Sequence, residues 1–316
     1  MEEMQKNLLS EVSGLHGIPV GAYNIRVDGQ ALSMNSTANI EIVKKKDKSG
    51  IDIYIKPNTK NESLHIPVIL TQTGLKEVVY NDFHIGENSD VTIIAGCGIH
   101  NSGDKESEHD GIHSFFIGKN AKVKYVEKHY GEGDGKGQRI LNPVTIVEID
   151  ENGYMEMDTV QIKGVDSTKR ITKAKLNEGA KIVVKEKIMT HGNQFAETGF
   201  EVELNGDNSS AHVTSRSVAK DNSNQVFLAD IKGNAKCTGH SECDAIIMDN
   251  ATVKAIPQIL ANNVNANLIH EAAIGKIAGE QLTKLMTLGL TEKEAEEWIV
   301  NGLSLIHISE PTRRVV

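Results

Sequence analysis

The sequence predicts a mainly β fold whose core is a β-solenoid, in which short strands stack coil upon coil. Turn-forming residues are followed again and again by alternating aliphatic residues, as in Asn88 before the segment Val91-Thr92-Ile93. The anchors Asn88, Asn120 and Asn152 are 32 residues apart, whereas the last two steps, between positions 234, 250 and 265, are 16 and 15. A strand–turn unit that recurs without helical patterns is typical of a solenoid. A sandwich with regular hairpins is the alternative.

The low aromatic content agrees with this core, which we expect to span residues 81–268. Only 4% of the residues are aromatic, whereas 39% are hydrophobic. A thin coil buries a few Val, Ile or Met side chains in an inner ladder, where large rings fit poorly.

The first 80 residues predict a short α/β region that precedes the core. An amphipathic stretch at residues 2–13 predicts a helix that ends at Gly14. Strand-like segments at residues 40–43 and 51–55 are separated by a charged turn at residues 44–48.

The periodicity becomes helical from His270 onward, so residues 269–303 predict a helical hairpin after the solenoid. Gly289 is the expected end of the first helix, and a capping box that starts at Thr291 begins a second helix, which ends at Gly302. Residues 304–316 look like the translation of a sequencing adapter, and we exclude them from fold and function arguments.

Composition excludes several classes of partner. The chain has 34 basic and 43 acidic residues and a net charge of −9, so nucleic acid and anionic membranes are not expected partners. Without a signal peptide or a long apolar run, we expect a soluble, cytoplasmic protein with reduced thiols. No phosphate-binding loop is present, and the acidic run Gly131–Gly137 predicts a flexible loop, so we expect no bound nucleotide.

One cluster of metal-competent side chains lies early in the core. It contains a thiol and three imidazoles, at Cys97, His100, His109 and His113. Zinc or iron would accept these ligand types. The alternative is a glycine-rich turn with solvated polar residues and with Cys97 inside the coil as a small apolar residue.

A second cluster lies at the end of the core. Cys237 and Cys243 are six positions apart and would face the same side of a strand, and His270 follows at the exit of the solenoid. The alternative is that Cys243 fills the core and that His270 is a polar residue at a helix start.

Four segments resemble the SufB/SufD family of iron–sulfur cluster assembly proteins. They are residues 239–248, 256–257, 268–277 and 280–302, and the similarity is strong from about 195 to 302 and looser from about 80. Within the looser part, the stretches that begin at Gly96 and Tyr125 resemble the short, single-gene members of anaerobes and archaea.

The resemblance implies a right-handed parallel β-helix that acts as a scaffold and is not an enzyme. It implies a transient iron–sulfur cluster at a dimer interface, formed by two copies or by a SufB/SufD-like paralogue, and docking of an ABC-type ATPase, SufC. In the SufB pattern the cluster site uses a Cys and a Glu, which correspond to Cys243 and Glu271 of this chain. The SufD pattern uses a His, which corresponds to His270. The sulfur donor is not identified, and Cys97 and Cys237 are candidates for a sulfur relay.

The terminal helices carry an apolar stripe that suits a protein contact. We expect Leu282, Leu285, Met286 and Trp298 to dock the ATPase partner. Capping the open end of the solenoid is the simpler role for the same stripe.

Two other functions compete with the scaffold. One is a β-helix polysaccharide lyase or hydrolase, which would need clustered carboxylates and stacking aromatics. The other is a stable metalloprotein that uses the early Cys/His cluster.

Overall fold

The computed structural model describes residues 2–15, 17, 19–276, 286–289, 291 and 294–295. Within these residues there is one helix of more than one turn, α1 (Glu3–Ser13), and there are twenty strands. The strands are β1 (Ala22–Val27), β2 (Gln30–Asn35), β3 (Ile40–Lys44), β4 (Gly50–Ile55), β5 (Lys60–Leu70), β6 (Lys76–Ile85), β7 (Asp90–His100), β8 (Ser107–Ile117), β9 (Lys122–Glu132), β10 (Arg139–Leu141), β11 (Val144–Ile149), β12 (Tyr154–Lys163), β13 (Ser167–Leu176), β14 (Lys181–Thr190), β15 (Phe195–Leu204), β16 (Ser210–Ala219), β17 (Asn224–Gly233), β18 (Thr238–Ile247), β19 (Thr252–Ala261) and β20 (Asn267–Gly275).

The strands form two stacked sheets, so the prediction of a parallel β-solenoid is confirmed. The first sheet has the order β2-β1-β5-β7-β9-β12-β14-β16-β18-β20, and the second has the order β19-β17-β15-β13-β10-β8-β6-β4-β3, with β11 beside β8 and β13. Each coil contributes one strand to each sheet, and about eight coils are stacked. Apart from the antiparallel pairs β1–β2 and β3–β4, the ladders are parallel.

The repeated Asn anchors mark turns at one edge of the solenoid. Asn88, Asn120 and Asn152 adopt left-handed backbone conformations, with φ of 57°, 56° and 55°. Such φ values favour Asn and Gly, and Asn120 Nδ2 donates to Asn88 Oδ1 at 3.1 Å. The two half-length steps arise because Asn250 lies in the turn between β18 and β19, at the opposite edge of the solenoid from the other anchors.

The amino-terminal predictions are confirmed at α1 and at the β3–β4 hairpin. Helix α1 ends at Gly14, whose φ is 69°, and it packs across β5, β7 and β9. Gly96 permits this contact, because a Cβ atom there would lie 2.2 Å from the Val12 carbonyl oxygen. Parallel pairing already begins between β1 and β5 and between β4 and β6.

The predicted helix start at His270 is wrong. Residues 267–275 form β20, which pairs in parallel with β18 and continues the first sheet by one more coil. The spacing of small apolar residues there also fits a strand, and the exposed edge of β18 supplies backbone partners that an isolated helix start lacks.

Farther along, Met286 and Thr287 are helical. The Gly289 N–H donates to the Met286 carbonyl at 3.0 Å, and the φ of Gly289 is 95°. The predicted capping box is present, because Thr291 and Glu294 each accept a hydrogen bond from the other's backbone N–H. Leu282, Leu285, Trp298 and the tail at residues 304–316 lie outside the described residues.

The core runs along the inside of the solenoid as rows of side chains in register. One row on the first sheet is made of Leu64, Ile93, Tyr125, Met157, Val184 and Val213, and it ends in Ser241 and His270. Within the described residues, none of the helices has the length and apolar content that crossing a membrane would require.

Candidate functional site

A neighbouring row on the inner side of the first sheet is polar. Its members in register are Glu127, Thr159, Glu186, Ser215 and Cys243, contributed by five successive coils. All five side chains are buried. Strand alternation places them inside, because each lies two residues after a member of the inward-facing row that begins at Leu64.

Arg170 of β13 crosses the interior and compensates the carboxylates of this row. Its guanidinium contacts Glu127 and lies 3.7 Å from Glu186 Oε1, and its Nη2 is 3.1 Å from His129 Nδ1. Burial opposes ionisation of Glu127, but Arg170 and His129 hold its pKa well below the usual range. Burial raises the pKa of Glu186, and Arg170 offsets this only in part. Ser215 Oγ donates to Glu186 Oε2 at 2.8 Å.

Cys97 lies beside this network on β7 and is hydrogen-bonded to His109 and His129. Its burial raises the pKa of the thiol, but the two imidazoles outweigh this and lower the pKa to about 7. Burial disfavours the charged form of His109, whereas Cys97 and Glu77 raise its pKa to about 10. A substantial fraction of Cys97 is therefore thiolate at neutral pH, next to the imidazole of His109, whose pKa is raised.

His113 is in the same interior but has a different role. Asn81 Nδ2 lies 3.2 Å from His113 Nε2, and His113 Nδ1 lies 2.8 Å from the Tyr125 hydroxyl, which donates to Glu127 Oε1 at 2.9 Å. Burial and nearby cations lower the pKa of His113 to about 4, so the ring is neutral.

The structure brings Cys97 and His109 together, places His113 next to them and separates His100. His100 is half-buried, and its Nδ1 lies 3.1 Å from Glu132 Oε1. Across the part of the chain that the structure describes, no three of His, Cys, Asp and Glu are grouped so as to hold a metal ion.

The three residues of the predicted cluster site lie on two faces of the first sheet. Cys243 faces inward and is 1% exposed, and His270 faces inward with its Nδ1 2.7 Å from Ser241 Oγ. Glu271 faces outward, 3.3 Å from His240 Nε2. Burial, Glu186 and Asp244 raise the pKa of the Cys243 thiol to about 12, and burial and His240 lower the pKa of His270.

The outer face around Glu271 carries a compact polar group. The rings of His212 and His240 are 4.9 Å apart, and Thr214 Oγ1 lies 3.1 Å from His212 Nε2. Burial and the Glu242 carboxyl raise the pKa of Asp244. His212 was not predicted from the sequence, because 28 residues separate it from His240 and only the coil register brings them together.

Cys237 occupies an apolar position. It belongs to the same buried hydrophobic cluster as Cys243, in the turn before β18, and burial raises the pKa of its thiol. Cys237 and Cys243 are six residues apart and are both buried on the inner side, as this even spacing predicts.

A separate cleft of about 820 Å³ opens on the outer face of the second sheet. Tyr54, His84 and Phe116 stack along it with ring centroids 4.8 and 5.1 Å apart, and Glu148 and Asp150 lie at its rim. These are the aromatic and acidic groups that a carbohydrate-active solenoid would need.

Sequence reasoning missed Glu77, Glu127, His129, Arg170 and Glu186. The sequence does contain a signal for this network. In β9, Tyr125, Glu127 and His129 lie an even number of residues from the inward-facing Val123, so their side chains face the same side of the strand. Polar residues at inward parity in successive coils would have indicated a buried network.

The fold and these groups define a parallel β-helix protein with buried thiols in its interior. The family model described as "SUF system FeS cluster assembly, SufBD core domain" matches residues 71–303. The chain belongs to the SufBD family and has a role in iron–sulfur cluster assembly.

Similar proteins carry the same description. The chain is 31% identical over 242 residues to an iron–sulfur cluster assembly SufBD family protein of Methanocaldococcus jannaschii, covering 76% of this chain and 75% of that one. It is 29% identical over 300 residues to a SufBD family protein of Pyrococcus horikoshii, covering 92% and 89%. For a SufBD family protein of Archaeoglobus fulgidus the identity is 28% over 273 residues, covering 85% and 72%.

Proposed function

We propose that this chain is a scaffold on which a nascent iron–sulfur cluster is built, and that it is not a turnover enzyme. The observation that carries the proposal is the buried polar row, which extends through the interior of the solenoid from the region of Cys97 to Cys243. Polar groups are costly to bury, so a row maintained through five coils indicates a function.

The two thiols divide the chemistry. Cys97 is the thiol that ionises near neutral pH and is therefore the sulfur acceptor, because a thiolate is the nucleophile in sulfur transfer. Cys243 is a thiol in the free protein and becomes a ligand when iron displaces its proton. The polar row between them is the route for sulfur.

Cys243 and His270 face the same interior at the last coils, and thiolate and imidazole ligands suit cluster iron. Glu271 reaches such a cluster only if the last coil rearranges, because it lies on the other face of the strand. We assign that rearrangement to the partner proteins.

The partners that fit are a SufC-like ABC ATPase and a second copy of this chain or a SufB/SufD-like paralogue. The contact would use the region after residue 271. Deletion of residues 276–316 keeps β20 intact and should abolish co-purification with the ATPase, whereas deletion of 304–316 alone should not. Unchanged co-purification after the longer deletion places the docking surface elsewhere.

The central test is anaerobic reconstitution with iron and sulfide, followed by visible absorption and elemental analysis. Cys243→Ser should prevent cluster formation while the far-ultraviolet circular dichroism stays that of the parent. Cys237→Ser is the matched control, since Cys237 is also a buried thiol of the same hydrophobic cluster and should leave reconstitution intact. A parental yield of cluster in Cys243→Ser refutes the site.

A carbohydrate-active function is the second candidate, on the evidence of the aromatic cleft. This function predicts that a polysaccharide protects the cleft residues from hydrogen exchange. It also predicts that Glu148→Gln removes the polysaccharide-cleaving activity. The absence of both effects leaves cluster assembly as the function.

A further inference from the structure

Cys97, His109, Glu77 and Arg26 form a continuous chain of polar contacts inside the solenoid. Cys97 is hydrogen-bonded to His109, and His109 Nδ1 lies 3.0 Å from Glu77 Oε1. Arg26 Nη2 donates to Glu77 Oε2 at 3.2 Å and to the Gly29 carbonyl at 2.9 Å. All four of these side chains are buried.

The order thiol, imidazole, carboxylate is that of a nucleophile site in which the third group orients the second. Because Nδ1–H of His109 donates to Glu77, Nε2 is the ring nitrogen left for the thiol. Arg26 fixes the other oxygen of Glu77, so the carboxylate cannot rotate away from the imidazole.

We propose that Glu77 is the positioning residue of a buried Cys97–His109–Glu77 nucleophile site that takes one sulfur atom from a small polysulfide anion. The fate of this sulfur rests on the proposed scaffold function, whereas the existence of the site does not.

The burial of Cys97 limits what can react with it. Cys97 is 6% exposed, and Gly96 and Gly98 on either side of it are covered by α1. A persulfide presented on another protein would need its own backbone to enter the solenoid, whereas a hydrodisulfide ion is a free diatomic sulfur species with no attached chain.

The reaction is a balanced displacement. The Cys97 thiolate attacks the outer sulfur of hydrodisulfide, a new S–S bond forms to Sγ, and the S–S bond of the donor breaks. Hydrosulfide leaves with the electron pair, so Cys–S⁻ and HSS⁻ give Cys–S–S⁻ and HS⁻. The imidazolium of His109 faces the two negative charges as they approach.

Several charged or titratable groups surround the thiol, and any titration of Cys97 reports on all of them. They are His109 on β8, Tyr125, Glu127 and His129 on β9, Glu77 on β6, Arg26 on β1, Arg170 on β13 and the neutral His113 on β8.

The test follows thiolate absorbance against pH in the full chain carrying Cys237→Ser and Cys243→Ser, so that Cys97 is the remaining thiol. Glu77→Gln should raise the midpoint of Cys97 ionisation by about one unit, which lowers the thiolate fraction at pH 7 about fivefold. Glu132→Gln is the matched control, because it removes the carboxylate of a His–Glu pair, with His100, outside the network. Glu77→Asp keeps a carboxylate and should therefore keep the midpoint of Cys97 ionisation close to the parental value.

The second readout is mass spectrometry after incubation with hydrodisulfide. The parent should gain one sulfur atom on Cys97, and Glu77→Gln should gain it about fivefold more slowly at pH 7. If Glu77→Gln does not fold, Arg26→Gln should give a smaller shift in the same direction. An unchanged midpoint in a folded Glu77→Gln overturns the positioning role, and equally fast loading from a protein-bound persulfide overturns the small donor. Neither readout depends on cluster reconstitution, so a failed scaffold function is distinguished from a failed site.

Discussion

Arg170 provides the strongest test of the interior network. It is 3% exposed and carries the positive charge between Glu127 and Glu186. Replacement by Met keeps much of the apolar volume and removes the charge. The carboxylate of Glu127 is then buried with His129 and the Tyr125 hydroxyl as its remaining polar neighbours.

The expected loss follows from the burial of these groups. Removing one member of a fully buried ion pair costs about 3–5 kcal/mol, because an uncompensated charge remains in a medium of low polarity. Lys169 is the matched control. It is the preceding residue and points outward, its side chain is 58% exposed, and it lies 3.0 Å from Glu197 Oε1. An exposed pair of this kind contributes less than about 1 kcal/mol.

The assay is equilibrium urea unfolding followed by circular dichroism. Arg170→Met should lose about 3–5 kcal/mol and Lys169→Met less than about 1 kcal/mol at pH 7. The pKa of Glu127 is depressed in the folded parent, so its stabilisation is present above the unfolded pKa and is lost as pH falls. The gap between parent and Arg170→Met should therefore narrow toward pH 4. Equal losses in both variants, or a gap independent of pH, refute the argument.

Two further predictions concern packing and buried hydrogen bonds. Gly96→Ala should release α1, because the new Cβ would lie 2.2 Å from the Val12 carbonyl oxygen, and limited proteolysis should then remove the amino terminus. The strand glycine Gly199 has space for a Cβ, and Gly199→Ala should leave α1 protected. Tyr125→Phe should cost about 1–3 kcal/mol in urea unfolding, since it leaves buried groups without a partner, whereas Tyr154→Phe, near the surface, should cost little.

Local patterns predicted the solenoid because its elements are local. The left-handed turns at Asn88 and Asn120, the helix ending at Gly14 and the capping box at Thr291 each depend on a few neighbouring residues. The strand at 267–275 was not predicted, because β18 decides its conformation from about 29 residues away. Spacing of small apolar residues alone does not separate a strand edge from a helix start.

The sites were predicted unevenly for a similar reason. Cys97 and His109 were recognised as chemical candidates, but their partner Glu77 pairs with them only through the register between coils. The family pattern selected Cys243, His270 and Glu271, and strand alternation explains why the structure divides these three between two faces.

Both thiols are buried, but their surroundings shift their pKa values in opposite directions. Around Cys97 the imidazoles of His109 and His129 outweigh burial and lower the pKa of the thiol to about 7, so a thiolate is populated before any substrate arrives. Around Cys243 the protein supplies the negative groups Glu186 and Asp244, which oppose a thiolate. A stable thiolate at Cys243 therefore requires a cation from outside, and in the proposed scaffold that cation is iron. In the proposed scaffold, sulfur can then be accepted at one end of the polar row without metal, whereas the other end becomes reactive only when iron is bound.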